Sequence, residues 1–124
     1  MNIHAIVAVG NQGQIGLNGK LPWHDKEDLR FFREMTMDSV CIAGWNTYKD
    51  LPELKGRLVV NDIRHWTPEK VLELLTSLYT GKKIFIIGGM KTYERYAHLI
   101  NRWHISRVEY NGEADTYFNW EIMK

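Results

Sequence analysis

Apolar residues in this chain fall into short continuous runs, separated by longer segments in which they recur every three or four positions. That is the pattern of buried strands alternating with helices. The run IHAIVAV at residues 3–9 is apolar and β-branched with little alternation, and predicts a strand covered on both faces. Similar runs predict strands at about 39–43 (SVCIA), 57–60 (RLVV), 83–87 (KIFII) and 103–110 (WHISRVEY). Between them the period changes. Leu29, Phe32 and Met35 lie three apart and predict a helix over about 25–36, with Arg30, Arg33 and Glu34 turned away from its apolar face. Thr67-Pro68-Glu69 supplies a cap, a first-turn proline and a first-turn acid. Val71, Leu74, Leu75 and Leu78 then give that helix an inner face, and Gly81 ends it. Tyr93, Tyr96, Ala97 and Ile100 do the same for a helix that follows Gly88-Gly89, and a short helix is expected between Gly44 and Leu51.

Strands joined by helices imply a single-domain α/β fold with a mostly parallel central sheet flanked by helices. In such sheets ligands bind beyond the carboxyl ends of the strands. Gly44, Gly88 and Gly89 stand at that end, as does the loop over residues 10–23, which holds four of the ten glycines and is read as loop throughout.

Composition narrows the function. The 124 residues suffice for one domain, and a hydrophobic fraction of 44% can fill its core. A net charge of +1 argues against nucleic acid or an anionic membrane as the main partner. No apolar run approaches the roughly 18 residues of a membrane span. Met1 leads directly into the first strand without a basic leader, so a cytoplasmic protein is expected. The single cysteine, Cys41, permits no internal disulfide and reads as an inert buried thiol.

The stretch IGLNGKLPWHDKEDL at 15–29 carries the densest chemistry. Asp28 precedes Leu29, the start of the apolar stripe, so its carboxylate can lie at the edge of a cleft; equally, it can be a solvated first-turn acid. Asp25 and Glu27 are expected to be exposed. An inward carboxylate can accept two hydrogen bonds from an amidine-like N–H pair. Trp23, directed by Pro22, can close a loop over a reactive centre, or simply plug that loop onto the core. Gly88-Gly89, between strand and helix, permits tight packing or the close approach of a phosphate, and Gly44 with Thr47 offers a second such site. Arg57 can hold a carboxylate in its planar fork, or stand in solvent. The five histidines show no ligand spacing, and no metal site is expected.

Taken in order, Ile6 and Ala8, the IG-x2-G-x-LPW loop from Ile15 to Trp23, Asp28-Leu29-x2-Phe32, Gly44-x2-Thr47, Leu54-x-Gly56-Arg57, Ile87-Gly88-Gly89-x3-Tyr93 and Asp115-Thr116-x-Phe118 resemble dihydrofolate reductase. The resemblance covers most of the chain. It implies reduction of 7,8-dihydrofolate to tetrahydrofolate by hydride transfer from NADPH, and sensitivity to antifolate inhibitors. By the same resemblance Asp28 binds the pterin and promotes protonation at N5, and Trp23 stands beside the nicotinamide. Ile6, Ala8, Leu29, Phe32, Leu51 and Leu54 line the substrate pocket, and Ile87 and Tyr93 touch pterin or nicotinamide. Arg57 holds the glutamate carboxylate of the substrate. Ser106 replaces the threonine that hydrogen-bonds the catalytic acid. Ala8, Ile15, Gly16, Gly44, Thr47, Gly88 and Gly89 hold the cofactor.

The chain also departs from the family pattern. Trp45 stands where an arginine for the cofactor's 2′-phosphate is usual, which leaves Lys91 as a cation for that group and NADH as an alternative donor. The sequence stops about six residues after Phe118, where the family continues into a hairpin. The last predicted strand is therefore expected to be a bare edge in a monomer or an edge-paired dimer, with a loosely closing nicotinamide loop. Two other readings compete. One is a pyrimidine reductase of the same fold; the other is a low-activity relative that binds folate or nucleotide as a structural module.

Overall fold

The computed structural model describes residues 2–123. In chain order the elements are β1 (Ile3–Val9), β2 (Gln14–Gly16), α1 (Lys26–Thr36), β3 (Val40–Ala43), α2 (Trp45–Tyr48), β4 (Leu58–Asn61), α3 (Pro68–Leu78), β5 (Ile84–Ile86), α4 (Met90–Tyr96), β6 (Arg102–Arg107) and β7 (Thr116–Tyr117). Short 3-10 turns occupy Ala97–Leu99 and Trp120–Met123. Five strands form one sheet in the order β4-β3-β5-β1-β6, and every neighbouring pair in it is parallel.

Strand alternation divides the core in two. Ile3, Ala5, Val7 and Val9 join Val40, Ile42, Ile84 and Ile86 against Val71, Leu72 and Leu75 of α3 and Tyr93 and Tyr96 of α4. On the other face Ile6, Cys41, Phe85 and Ile87 meet Phe31, Phe32 and Met35 of α1. Helices cover both faces, which is why the central strands read as unbroken apolar runs. Burial pushes the Cys41 thiol up to about 12, against a smaller opposing pull from the Arg57 charge, so it stays protonated and inert.

Helix ends follow their sequence signals. The Thr67 side chain accepts from the Lys70 N–H at 3.2 Å, with Pro68 opening α3. Such a cap contributes about 1 kcal/mol. The Asp25 side chain accepts from the Asp28 N–H at 3.0 Å and caps α1, so its role is structural and not merely that of a surface acid. A buried network then ties α4 to the segment after β4. Arg95 Nε donates to Asp62 Oδ2 at 2.8 Å, and the Tyr96 hydroxyl donates to Asp62 Oδ1 at 2.6 Å. Burial, reinforced by Asp62, drives the Tyr96 hydroxyl far above its ordinary range, so it remains a donor.

Three features differ from the periodicity. The inner face of α3 is Val71, Leu72 and Leu75, while Leu78 is 60% exposed. The helix packs through its first two turns, which leaves the last leucine of the pattern in solvent. Leu29 does not join the buried stripe of α1 either, because it stands on the first turn beside an open cleft. Finally, residues 10–23 are not loop throughout: β2 pairs antiparallel with β7 in a second, two-stranded sheet. Strands of three and two residues are too short to show a period. Strand β6 is an edge strand, as the sequence reading expects, and pairs with β1 among the described residues.

Candidate active site

The carboxyl ends of β1, β3 and β5 lie side by side, and each is followed by a candidate site segment. Strand β1 runs into the loop that carries Trp23, β3 into Gly44 and β5 into Gly88-Gly89. The Gly44 N–H donates to the Gly88 carbonyl at 2.8 Å and fastens two of these segments together.

Asp28 sits on the first turn of α1, half-buried. Ser106 Oγ donates to its Oδ1 at 2.7 Å from β6. The contact is set by register: Ser106 pairs with Ala8 on β1, and both lie on the sheet face that α1 covers. Oδ2 has no hydrogen-bond partner among the described residues. Leu21, Trp23, His24, Asp25, Asp28 and Leu29 line a hollow of about 80 Å³. That is well below the roughly 300 Å³ at which ligand pockets begin, so the hollow by itself does not enclose a bicyclic ring. Leu21 is 47% and Leu29 45% exposed, and both line the hollow beside the acid.

Trp23 packs against Tyr110 with ring centroids 5.4 Å apart. Its Nε1 is buried with no hydrogen-bond partner. An orphaned buried donor costs about 1–3 kcal/mol, which a polar ligand atom or an ordered water would offset.

The glycine edge is the second candidate segment. Gly44 and Gly89 precede α2 and α4, and no side chain caps either helix. Gly88 has φ +121°, a conformation that side-chain-bearing residues rarely adopt, and the Gly88–Gly89 peptide is cis. Thr47 Oγ1 lies 3.7 Å and 3.5 Å from the points where Cβ atoms of Gly88 and Gly89 would stand. The Thr47 hydroxyl, expected beside Gly44 as a second site, thus stands next to Gly88-Gly89.

The remaining expected site residues are distributed as follows. Ile6 and Ile87 are buried on the α1 face; Phe32 and Leu51 pack against them half-buried, and Leu54 and Ala8 are also half-buried. Ile15 and Gly16 lie in β2, half-buried. Tyr93 is buried, with its hydroxyl committed to the Ile6 carbonyl at 2.6 Å. Arg57 stands near the end of α1, donating through Nε to the Lys55 carbonyl at 2.9 Å and through NH1 to Thr36 Oγ1 at 3.3 Å. Trp45 is 54% exposed, stacked on Tyr48, and Lys91 is exposed.

Sequence reasoning did not single out Tyr110 behind Trp23, nor the pairing of His4 with His104, whose rings meet at 3.0 Å. The histidines are a hundred residues apart, and only the β1·β6 register brings them together. Among the described residues no group of three or more His, Cys, Asp or Glu side chains could hold a metal ion, and no helix is long and apolar enough to cross a membrane.

A profile of the family described as dihydrofolate reductase matches residues 2–123. Dihydromethanopterin reductase of Methylorubrum extorquens is 38% identical over 96% of this chain and 91% of its own length. Dihydrofolate reductase type 9 of Escherichia coli is 32% identical over 99% of this chain and 79% of its own. Dihydrofolate reductase of Buchnera aphidicola subsp. Schizaphis graminum is 33% identical over 95% and 79%. The chain belongs to the dihydrofolate reductase family, and its class is therefore oxidoreductase.

Proposed function

We propose that this protein reduces 7,8-dihydrofolate to 5,6,7,8-tetrahydrofolate with NADPH as the hydride donor, as a cytoplasmic enzyme open to antifolate inhibitors. The observation that carries this reading is the Asp28–Ser106 pair, with one carboxylate oxygen held and the other free beside apolar walls. A carboxylate so placed accepts a fork of N–H bonds from the amidine-like edge of a pterin. Its negative charge favours a ring that carries a proton at N5, which makes the neighbouring carbon a better hydride acceptor. Ser106 fixes the carboxylate's orientation. Trp23 covers the centre and excludes water.

The residues fit a dinucleotide. Two uncapped helix starts and the Thr47 hydroxyl converge on Gly88-Gly89, where side chains would obstruct the approach of a phosphate. Lys91 is the cation we assign to the 2′-phosphate, and the exposed Trp45 supplies a flat surface but no charge. The bound dihydronicotinamide supplies the hydride; the fold contributes position.

A second reading is favoured by the 38% identity to a dihydromethanopterin reductase: the same centre acting on that pterin. Oxidation of NADPH by the purified protein, followed by absorbance with dihydrofolate and with dihydromethanopterin, separates the two. Asp28→Asn is expected to lower turnover about a hundredfold or more while the fold is kept. Wild-type turnover by this variant, or no turnover of either pterin by the parent, overturns the proposal.

A further inference from the structure

A second cavity lies at the opposite, amino-terminal end of the sheet. It measures about 480 Å³ and is lined by Asn2, His4, Met35, Gly81, Lys82, Lys83, Phe85, Arg102 and His104. Three of these residues are permanent cations, and none is acidic. Lys82, Lys83 and Arg102 form no ion pair among the described residues, whose salt bridges all lie elsewhere. The two imidazoles form a built unit. The His4 ring stacks on Phe85, at 4.8 Å and 23°, and on His104, at 5.2 Å and 19°, and the Phe85 and His104 rings stand 5.7 Å apart, so the three form one cluster. One N–H···N bond of 3.0 Å joins His4 Nδ1 to His104 Nε2. That bond orients both rings and leaves His4 Nε2 and His104 Nδ1 without a partner among the described residues.

We propose that this cavity is a second ligand site, distinct from the reductase centre, that takes a phosphate-like dianion, either free or as the monoester end of a small organic molecule. Lys82, Lys83 and Arg102 supply the counter-charge, with the Arg102 fork able to hold two oxygens. The imidazole pair supplies a ring N–H. The charged groups that face the pair are Lys82 and Lys83 from the segment ahead of β5 and Arg102 from β6 itself. The α1 helix adds only Met35, and the residue ahead of β1 adds the neutral Asn2. Burial first, then for His4 the neighbouring His104, and for both rings the charges of Lys83 and Arg102, keep the imidazoles below their ordinary value of 6.5. A bound dianion reverses the local field, so its binding draws a proton onto the pair and tightens as pH falls.

Calorimetric titration of the full chain with sodium sulfate tests the site, with sodium chloride at matched ionic strength as the control. Sulfate keeps its double charge across the range, so any pH dependence belongs to the protein. The expected result is saturable binding that strengthens from about pH 8 to about pH 6, with the imidazole proton signals of His4 and His104 shifting together. The double variant Lys83→Ala and Arg102→Ala is expected to lose at least about tenfold in affinity. Lys82→Ala, at an exposed position, provides a smaller loss should the double variant unfold. Phosphate and ribose 5-phosphate then distinguish the sources: equal affinity identifies the free anion, and tighter binding of the ester identifies the organic ligand. Heats and histidine signals that follow chloride as closely as sulfate, or wild-type affinity in the folded variants, overturn the inference.

Discussion

At the scale of single residues the site depends on a hydroxyl. Ser106 Oγ donates to one oxygen of Asp28 and leaves the other free, so it orients the carboxylate without consuming it. Ser106→Ala removes a charge-assisted bond and lets the acid rotate toward solvent. The expected result is a loss of about tenfold in turnover, well short of the loss for Asp28→Asn, with Ser106→Thr restoring activity. Steady-state rates for the three variants check this, and wild-type turnover by Ser106→Ala would show that the hydroxyl has no positioning role. The sequence places Asp28 one residue ahead of an expected apolar stripe, but Leu29 is 45% exposed, and the acid's inward contact is the bond from Ser106 of β6. That partner was legible only through family resemblance, since nothing local to WHISRVEY announces what its serine faces. The histidine pair was not legible at all, because imidazoles in two strands meet only when the register of those strands is known.

Elements raise a different question, namely how closely two of them can approach. The Gly44 N–H donates to the Gly88 carbonyl at 2.8 Å, and the close neighbour of Gly44 is a side chain of α4. A Cβ on Gly44 would collide with Thr92 Oγ1, on the buried face of α4. Gly44→Ala is therefore expected to cost about 1–3 kcal/mol, and Thr92→Ala in the same chain to recover part of that loss by opening the space. Urea unfolding of the single and double variants measures both, and additive effects would argue against the contact. The main elements were legible wherever burial imposed a period of its own, as in the first strand and in the capped α3. Where burial was partial, the pattern misled. Leu78 completes an i, i+7 series yet lies in solvent, and Leu29 opens a stripe yet borders a cleft. The pair β2·β7 carries too few residues for any period, so only tertiary contact reveals it.

For the molecule as a whole, the two ends of the sheet respond differently to acid. The unfolded chain takes up protons near pH 6.5 at His4 and His104, whereas the folded pair resists them until lower pH. Their contribution to stability is thus fully present above 6.5 and declines as pH falls below it. Melting in chloride is expected to show a lower transition temperature at about pH 5.5 than at about pH 7.5, and a flatter profile when both histidines are changed to leucine. A wild-type profile level across that range would contradict the burial of the pair. The amino-terminal end of the sheet is thus the acid-sensitive one, while chemistry is assigned to the carboxyl end. Between the ends of the chain runs one last connection. The Asp115 N–H donates to the Gly16 carbonyl at 2.9 Å, the Phe118 N–H to the Gly13 carbonyl at 2.9 Å, and the Asn18 N–H to an Asp115 carboxylate oxygen at 2.9 Å. Two of these three bonds join main chain to main chain, and such bonds are indifferent to what the side chains are. The path leading to the indole is therefore insulated from sequence drift at Leu17 and Lys20, whereas Asn18, at φ +53°, holds a left-handed position that only asparagine, aspartate or glycine takes readily, so the arm can be respelled around that one residue and still trace the same curve.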